Sequence, residues 1–184
     1  NMLGNNALAT RTYSVNIIMF VYLFAIAMAQ GGAISIGHLV GQKKIRAAYL
    51  LGKYVMRLSI LVSLVLSCIW AAGGHFIFSL LTDNEEIIRL GVTVMIIDVV
   101  VEIGRAVNIY ATNALRSAGD VNYPFYMGFT VQWTVSVGFS YLLGIHWGWA
   151  CRYVCAFLLD ENIRAFIFVK RWNSLKWAKK GFVK

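Results

Sequence analysis

Charge is scarce in this chain. Asp, Glu, Lys and Arg make up 14% of its 184 residues, where a soluble domain carries about 25%. The shortage is concentrated: no such side chain occurs from Thr12 to Gln42, from Leu58 to Thr82 or from Val121 to Cys151. Each run exceeds the roughly 20 apolar residues that a helix needs to cross about 30 Å of hydrocarbon. A soluble core helix accounts for one run of this kind, and three in so short a chain exclude a water-soluble globule.

Other absences narrow the class. Cysteine occurs three times, at Cys68, Cys151 and Cys155, an odd number in or beside apolar stretches that implies no disulfide framework. Cys151 and Cys155 share a helix face, where buried thiols act as packing residues. His38, His75 and His146 are scattered, with no H-x-x-x-H or H-E-x-x-H spacing, so a metal site has no support. No nucleophile–base pair points to an enzyme. Proline occurs once, and neither a Pro- or Ser-rich linker nor an internal repeat divides the chain. Residues 1–184 read as one all-α polytopic membrane helix bundle. The chain opens on Asn1 with no signal peptide before the first stretch, and it reads as the incomplete part of a longer protein.

What is present is five apolar stretches, which predict spans over residues 14–40, 58–81, 88–115, 122–144 and 149–169, followed by a basic tail over 170–184. The net charge of +9 is not spread evenly. Lys43, Lys44, Arg46, Lys53 and Arg57 cluster in the loop after the first span, and Lys170, Arg171, Lys176, Lys179, Lys180 and Lys184 close the chain. Asp83, Glu85 and Glu86, with Arg89, follow the second span instead. Lys and Arg collect in cytoplasmic loops, so the N-terminus is placed outside and the C-terminus in the cytoplasm, and five spans satisfy that parity. Attraction of a basic tail to the anionic lipid of the plasma membrane explains the charge without nucleic acid. Trp147 and Trp149 in the outer turn, and Trp172 and Trp177 beyond the inner end of the last span, fit an aromatic belt. Trp133 falls mid-span, where the ring either lines a cavity or packs as a structural residue.

The few ionisable groups inside the spans gather on two of the five. Asp98, Glu102 and Arg105 interrupt the third, and Asp160, Glu161 and Arg164 the fifth. Positions 98, 102, 105 and 109 follow i, i+4, i+7 and i+11 spacing, a single helix face with Asn108 near its margin. At 1.5 Å of rise per residue, Glu102 lies about 20 Å and Asp160 about 15 Å from the inner end of its span, near mid-bilayer, where the two sets can meet. Buried carboxylate–arginine pairs either tie helices together or surround a polar pathway. Four carboxylates stand against two guanidinium groups here. The residual negative charge suits a proton, a sodium ion or an organic cation. Gln30-Gly31-Gly32 near the middle of the first span marks either a bend lining a cavity or, with Gly37 and Gly41, close helix contacts.

Gln30 to Gln42, followed by a basic turn and Ala47-Ala48, resembles the eighth helix of multidrug and toxic compound extrusion (MATE) transporters. Glu102-Ile-Gly-Arg-Ala-Val-Asn108, then Ala114-Leu-Arg-Ser-Ala-Gly-Asp120 and Pro124, is similar to their tenth helix and the loop after it. Asp160-Glu-Asn-Ile-Arg164 and Arg171-Trp-Asn-Ser-Leu-Lys-Trp177 resemble the twelfth helix and tail of one bacterial branch. The resemblance implies helices 8–12 of a twelve-helix, two-lobe antiporter that exports organic cations by alternating access in exchange for sodium or protons, with no cofactor besides that coupling ion. Its partners would be the first lobe and a seventh helix of the same transporter. Glu102 and Asp98 would form the coupling-cation or proton site, supported by Arg105, Asn108, Asp160, Glu161 and Arg164. Arg116 and Asp120 match the family pattern as well, with turn formation as the simpler role. Two other functions remain open: a flippase for lipids or lipid-linked oligosaccharides on the same fold, and a non-transporting membrane assembly subunit.

Overall fold

The computed structural model describes residues 5–138 and 149–180. Among the described residues six α-helices follow one another: α1 (Asn5–Gly41), α2 (Ile45–Ala72), α3 (Gly74–Leu81), α4 (Glu85–Ser117), α5 (Asn122–Val131) and α6 (Trp149–Asn173). α5 runs directly into a π-helical segment, Gln132–Val137, and a 3₁₀ turn, Lys176–Lys180, follows α6. No strand occurs among the described residues. The protein is an all-α membrane helix bundle. Two helical stretches, Thr12–Gly41 and Ile45–Ala72, are long and apolar enough to cross a membrane, each with a mean hydropathy of 2.1.

Large apolar side chains stand on the outside of α1 and α2. Along α1 the buried positions among those described are Thr10, Ser14, Ile17, Val21, Ala25, Ala29, Gly32, Ile36 and Val40, a helical spacing of three and four. The buried face of α2 is Ala48, Gly52, Met56, Ser59, Ser63 and Ser67, while Leu50, Tyr54, Leu61, Val65 and Ile69 point outward. Small residues inside and large apolar ones outside are what a lipid solvent selects, because hydrocarbon outside costs nothing and small side chains let backbones approach. At Gly52 the indole of Trp172 lies where a Cβ would go. At Gly32 a Cβ would lie 2.7 Å from Tyr110 Cε2.

α4 is the axis of the bundle, in contact with α1, α2, α3 and α6. Asn84 caps its N-terminus, with Oδ1 accepting from the backbone N–H of Glu86 at 3.0 Å. Its C-terminus closes on Gly119 at φ 91°, with Asp120 N–H donating to Leu115 O at 2.9 Å and Gly119 N–H to Arg116 O at 3.0 Å, the paired bonds of a Schellman motif. α1 ends the same way, but with Lys43 at φ 60° in the left-handed position that glycine usually takes.

Several expectations need correction. Arg46, Lys53 and Arg57 are not in a loop: α2 starts at Ile45 rather than near Leu58. Lack of charge marks only where a helix can lie in lipid, and packing of Ala48, Gly52 and Met56 carries this one further. Trp172 and Trp177 are not belt residues but are fully buried, their rings stacked 4.5 Å apart. Leu175 at φ 54° turns the chain back after α6, and Trp177 Nε1–H then donates to Trp172 O at 2.9 Å. Trp133 is 59% exposed, against Phe129, so it does not pack inside the described bundle. α1 runs unbroken through Gln30-Gly31-Gly32; Gln30 and Gly31 face outward, and Gly32 serves close packing against Tyr110. The end of the fourth span (139–144), the turn with His146 and Trp147, and residues 181–184 lie outside the described residues, as do the side chains of Trp149, Cys151, Cys155 and Lys180.

Candidate functional site

Two apolar clusters share α4 between them. One gathers Ile17, Phe78, Ile87, Ile88 and Met95; the other includes Val107, Tyr110, Ala111, Leu115, Phe168, Trp172 and Trp177. Asp98, Glu102 and Arg105 of α4 sit in the gap. Glu102 is fully buried, and Arg105 and Asn108 are buried beside it. Such groups persist in a low-dielectric interior when each finds a counter-charge or a hydrogen bond.

Each arginine serves two carboxylates on its own helix. On α4, Arg105 Nη2 reaches Asp98 Oδ1 at 3.1 Å, and Nη1 bonds Glu102 Oε2 at 2.5 Å. On α6, Arg164 bonds Asp160 Oδ2 and lies 3.3 Å from Glu161 Oε1. The spacings i+3, i+4 and i+7 put all three groups of each set on one face. The two sets meet where Asn108 Nδ2–H donates to Glu161 Oε2 at 2.7 Å. That meeting depends on Gly104, where a Cβ would lie 3.1 Å from Asn162 Cγ and 3.2 Å from its backbone nitrogen. A side chain at 104 would hold α6 away.

Of the residues singled out in the sequence, the structure brings together Asp98, Glu102, Arg105, Asn108, Asp160, Glu161 and Arg164. Gln30, Gly31 and Trp133 are exposed on the surface of the described bundle, apart from that group. Glu102 is the distinctive member. Its Oε1 is buried and has no hydrogen-bond partner among the described residues. Asp98 is the more accessible carboxylate, its side chain 11% exposed. A narrow cleft between α1, α2 and α4, lined by Ile17, Val21, Ser67, Trp70 and Met95, reaches it.

Two features escaped the sequence reading. Ser59, Ser63 and Ser67 form a buried polar stripe on α2 that ends at the Asp98 cleft; their i, i+4 spacing was visible but lay within an uncharged run. Asp120 is no mere turn former. It is fully buried and accepts from Arg171 Nε–H at 2.7 Å, while the guanidinium lies 4.4 Å from the Tyr123 ring centroid. This ion pair ties the α4–α5 turn to the end of α6.

The MatE family model matches residues 1–142, most of the chain. The chain belongs to the MatE family. Over 181 residues, 98% of its length, it is 32% identical to uncharacterized transporter YisQ of Bacillus subtilis, of which it covers 40%. It is 25% identical over 143 residues to multidrug resistance protein NorM of Aliivibrio fischeri, and 26% identical over 147 residues to multidrug resistance protein MdtK of Photorhabdus laumondii. Each of those two matches takes in 78% of this chain and 31% of the relative. The chain therefore spans less than half the length of these MatE relatives.

Proposed function

We propose that this chain forms part of the second lobe of a plasma-membrane multidrug efflux antiporter, with Glu102 and Asp98 as its coupling-cation or proton site. The observation that carries the reading is Glu102. It is fully buried, Arg105 engages one of its oxygens, and the other has no partner among the described residues. With Glu102 counted, four carboxylates face two guanidinium groups here. A carboxylate in that position takes up a proton or a cation to neutralise the excess. The names of NorM and MdtK, both multidrug resistance proteins, support export of drug-like molecules, and the residual negative charge favours organic cations among them.

In this mechanism the coupling ion enters by the cleft at Asp98 and passes to Glu102 beside Arg105. Neutralising Glu102 loosens its hold on Arg105, and the change biases one lobe against the other between outward- and inward-open states. The first lobe and a seventh helix complete the pathway. The Lys and Arg residues within 43–57 and 170–180 support a topology with the N-terminal end of α1 outside and the end of α6 in the cytoplasm.

Glu102→Gln in the intact, reconstituted transporter keeps the side-chain volume and removes the charge. Gradient-driven efflux of an organic cation dye is expected to be lost while membrane insertion stays normal. Efflux at the unmodified rate would make Glu102 structural. Raising external sodium at fixed pH, and then collapsing the proton gradient, separates the two coupling ions.

A further inference from the structure

A second polar feature lies away from the charged core, at the opposite end of α6 from Trp149. Tyr123 and Met127 of α5, Phe166, Ile167, Lys170 and Arg171 of α6, and Ser174 and Lys176 beyond it line an open cleft of about 320 Å³. Its walls change character within one helical turn. Phe166 and Lys170, like Ile167 and Arg171, are four residues apart and share a helix face, so an apolar level is followed about 5–6 Å further on by a cationic one. Phe166 is 70% exposed, an aromatic ring directed outward beside the cleft.

The charges in the cleft are not equivalent. Asp120 neutralises Arg171, whose guanidinium also stacks on Tyr123. Lys170 and Lys176 form no ion pair among the described residues and are exposed. The cleft therefore offers two uncompensated ammonium groups above an apolar wall, with the Ser174 hydroxyl between them in sequence. We propose that this cleft binds an anionic phospholipid, its phosphate held by Lys170 and Lys176 and its acyl chains laid along Phe166, Ile167 and Met127. The volume accommodates a headgroup and the first carbons of the chains. Basic pockets between membrane helices take anionic headgroups on these grounds. A zwitterionic choline headgroup would bring a third cation to the two lysines. A free phosphate would leave the apolar wall unused. The site uses none of the residues assigned to ion coupling, and it stands or falls independently of that assignment.

The test is a lipid titration of the delipidated full-length protein in non-ionic detergent, with bound lipid counted by native mass spectrometry. Phosphatidylglycerol is expected to bind at least tenfold more tightly than phosphatidylcholine. Lys170→Gln with Lys176→Gln should abolish that preference, and each single substitution should reduce it, since each ammonium contributes separately to anionic lipid binding. Phe166→Ala should weaken both lipids and leave their ratio unchanged. Both lysines are exposed, so an unaltered lipid-free melting midpoint certifies the variants. Equal binding of the two lipids, a preference that survives the double substitution, or displacement by inorganic phosphate at concentrations comparable to the lipid would overturn the proposal.

Discussion

Placing a valine at Gly104 tests the contact that brings the two charged sets together. A single added Cβ would lie 3.1 Å from Asn162 Cγ and 3.2 Å from its backbone nitrogen, below the 3.5–4.0 Å of comfortable contact. The side-chain carbon can rotate away, but the backbone nitrogen moves only with α6. Two further methyl groups make relief by rotation impossible. Overpacking of this kind costs about 1–3 kcal/mol. The displacement also stretches the 2.7 Å bond from Asn108 to Glu161, one turn along α4, and a hydrogen bond to a charged group contributes about 1.5–3 kcal/mol. The expected loss is about 2–4 kcal/mol, read as a lower thermal midpoint in detergent. Gly31→Val is the matched control, because nothing lies within 4 Å of a Cβ there; its effect should stay within about 0.5 kcal/mol. If the two valines prove indistinguishable, α4 and α6 do not approach as described, and the joined charged sets go with them.

Two further outcomes follow from the turns. Asp120→Asn leaves the Arg171 guanidinium, 12% exposed, without its counter-charge; a loss of about 3 kcal/mol is expected, with faster proteolysis after Asn173, and wild-type proteolytic resistance would count against the ion pair. Lys43→Gly removes a left-handed strain from the end of α1 and should raise the melting midpoint by an amount equivalent to about 1 kcal/mol. A lowered midpoint would mean the backbone at 43 is not left-handed.

The charged face of α4 was legible because helical spacing alone fixes which side chains share a face, and Asp98, Glu102 and Arg105 obey it. Their encounter with Glu161 was legible too, from depth in the membrane. Partners distant in sequence were not. Nothing in Asp120 announces Arg171, and nothing in Trp172 announces Gly52, because such contacts are made by the fold. The serine stripe of α2 was missed for a different reason. In lipid the apolar residues face outward, so hydrophobicity stops reporting burial, and Ser59, Ser63 and Ser67 look incidental in a run of leucine and valine.

The inverted packing of α2 also changes what temperature can do to this bundle. In a soluble protein, parting two helices wets apolar surface, and the resulting heat-capacity increment bends the stability curve downward at both ends. Here the α2 face that parts is serine, alanine and glycine with Met56 as its one large apolar side chain, and it passes from protein contact to acyl chains. Little apolar area meets water in that step. Separation of these helices within the bilayer should therefore show an enthalpy nearly constant with temperature, and no cold limit of its own.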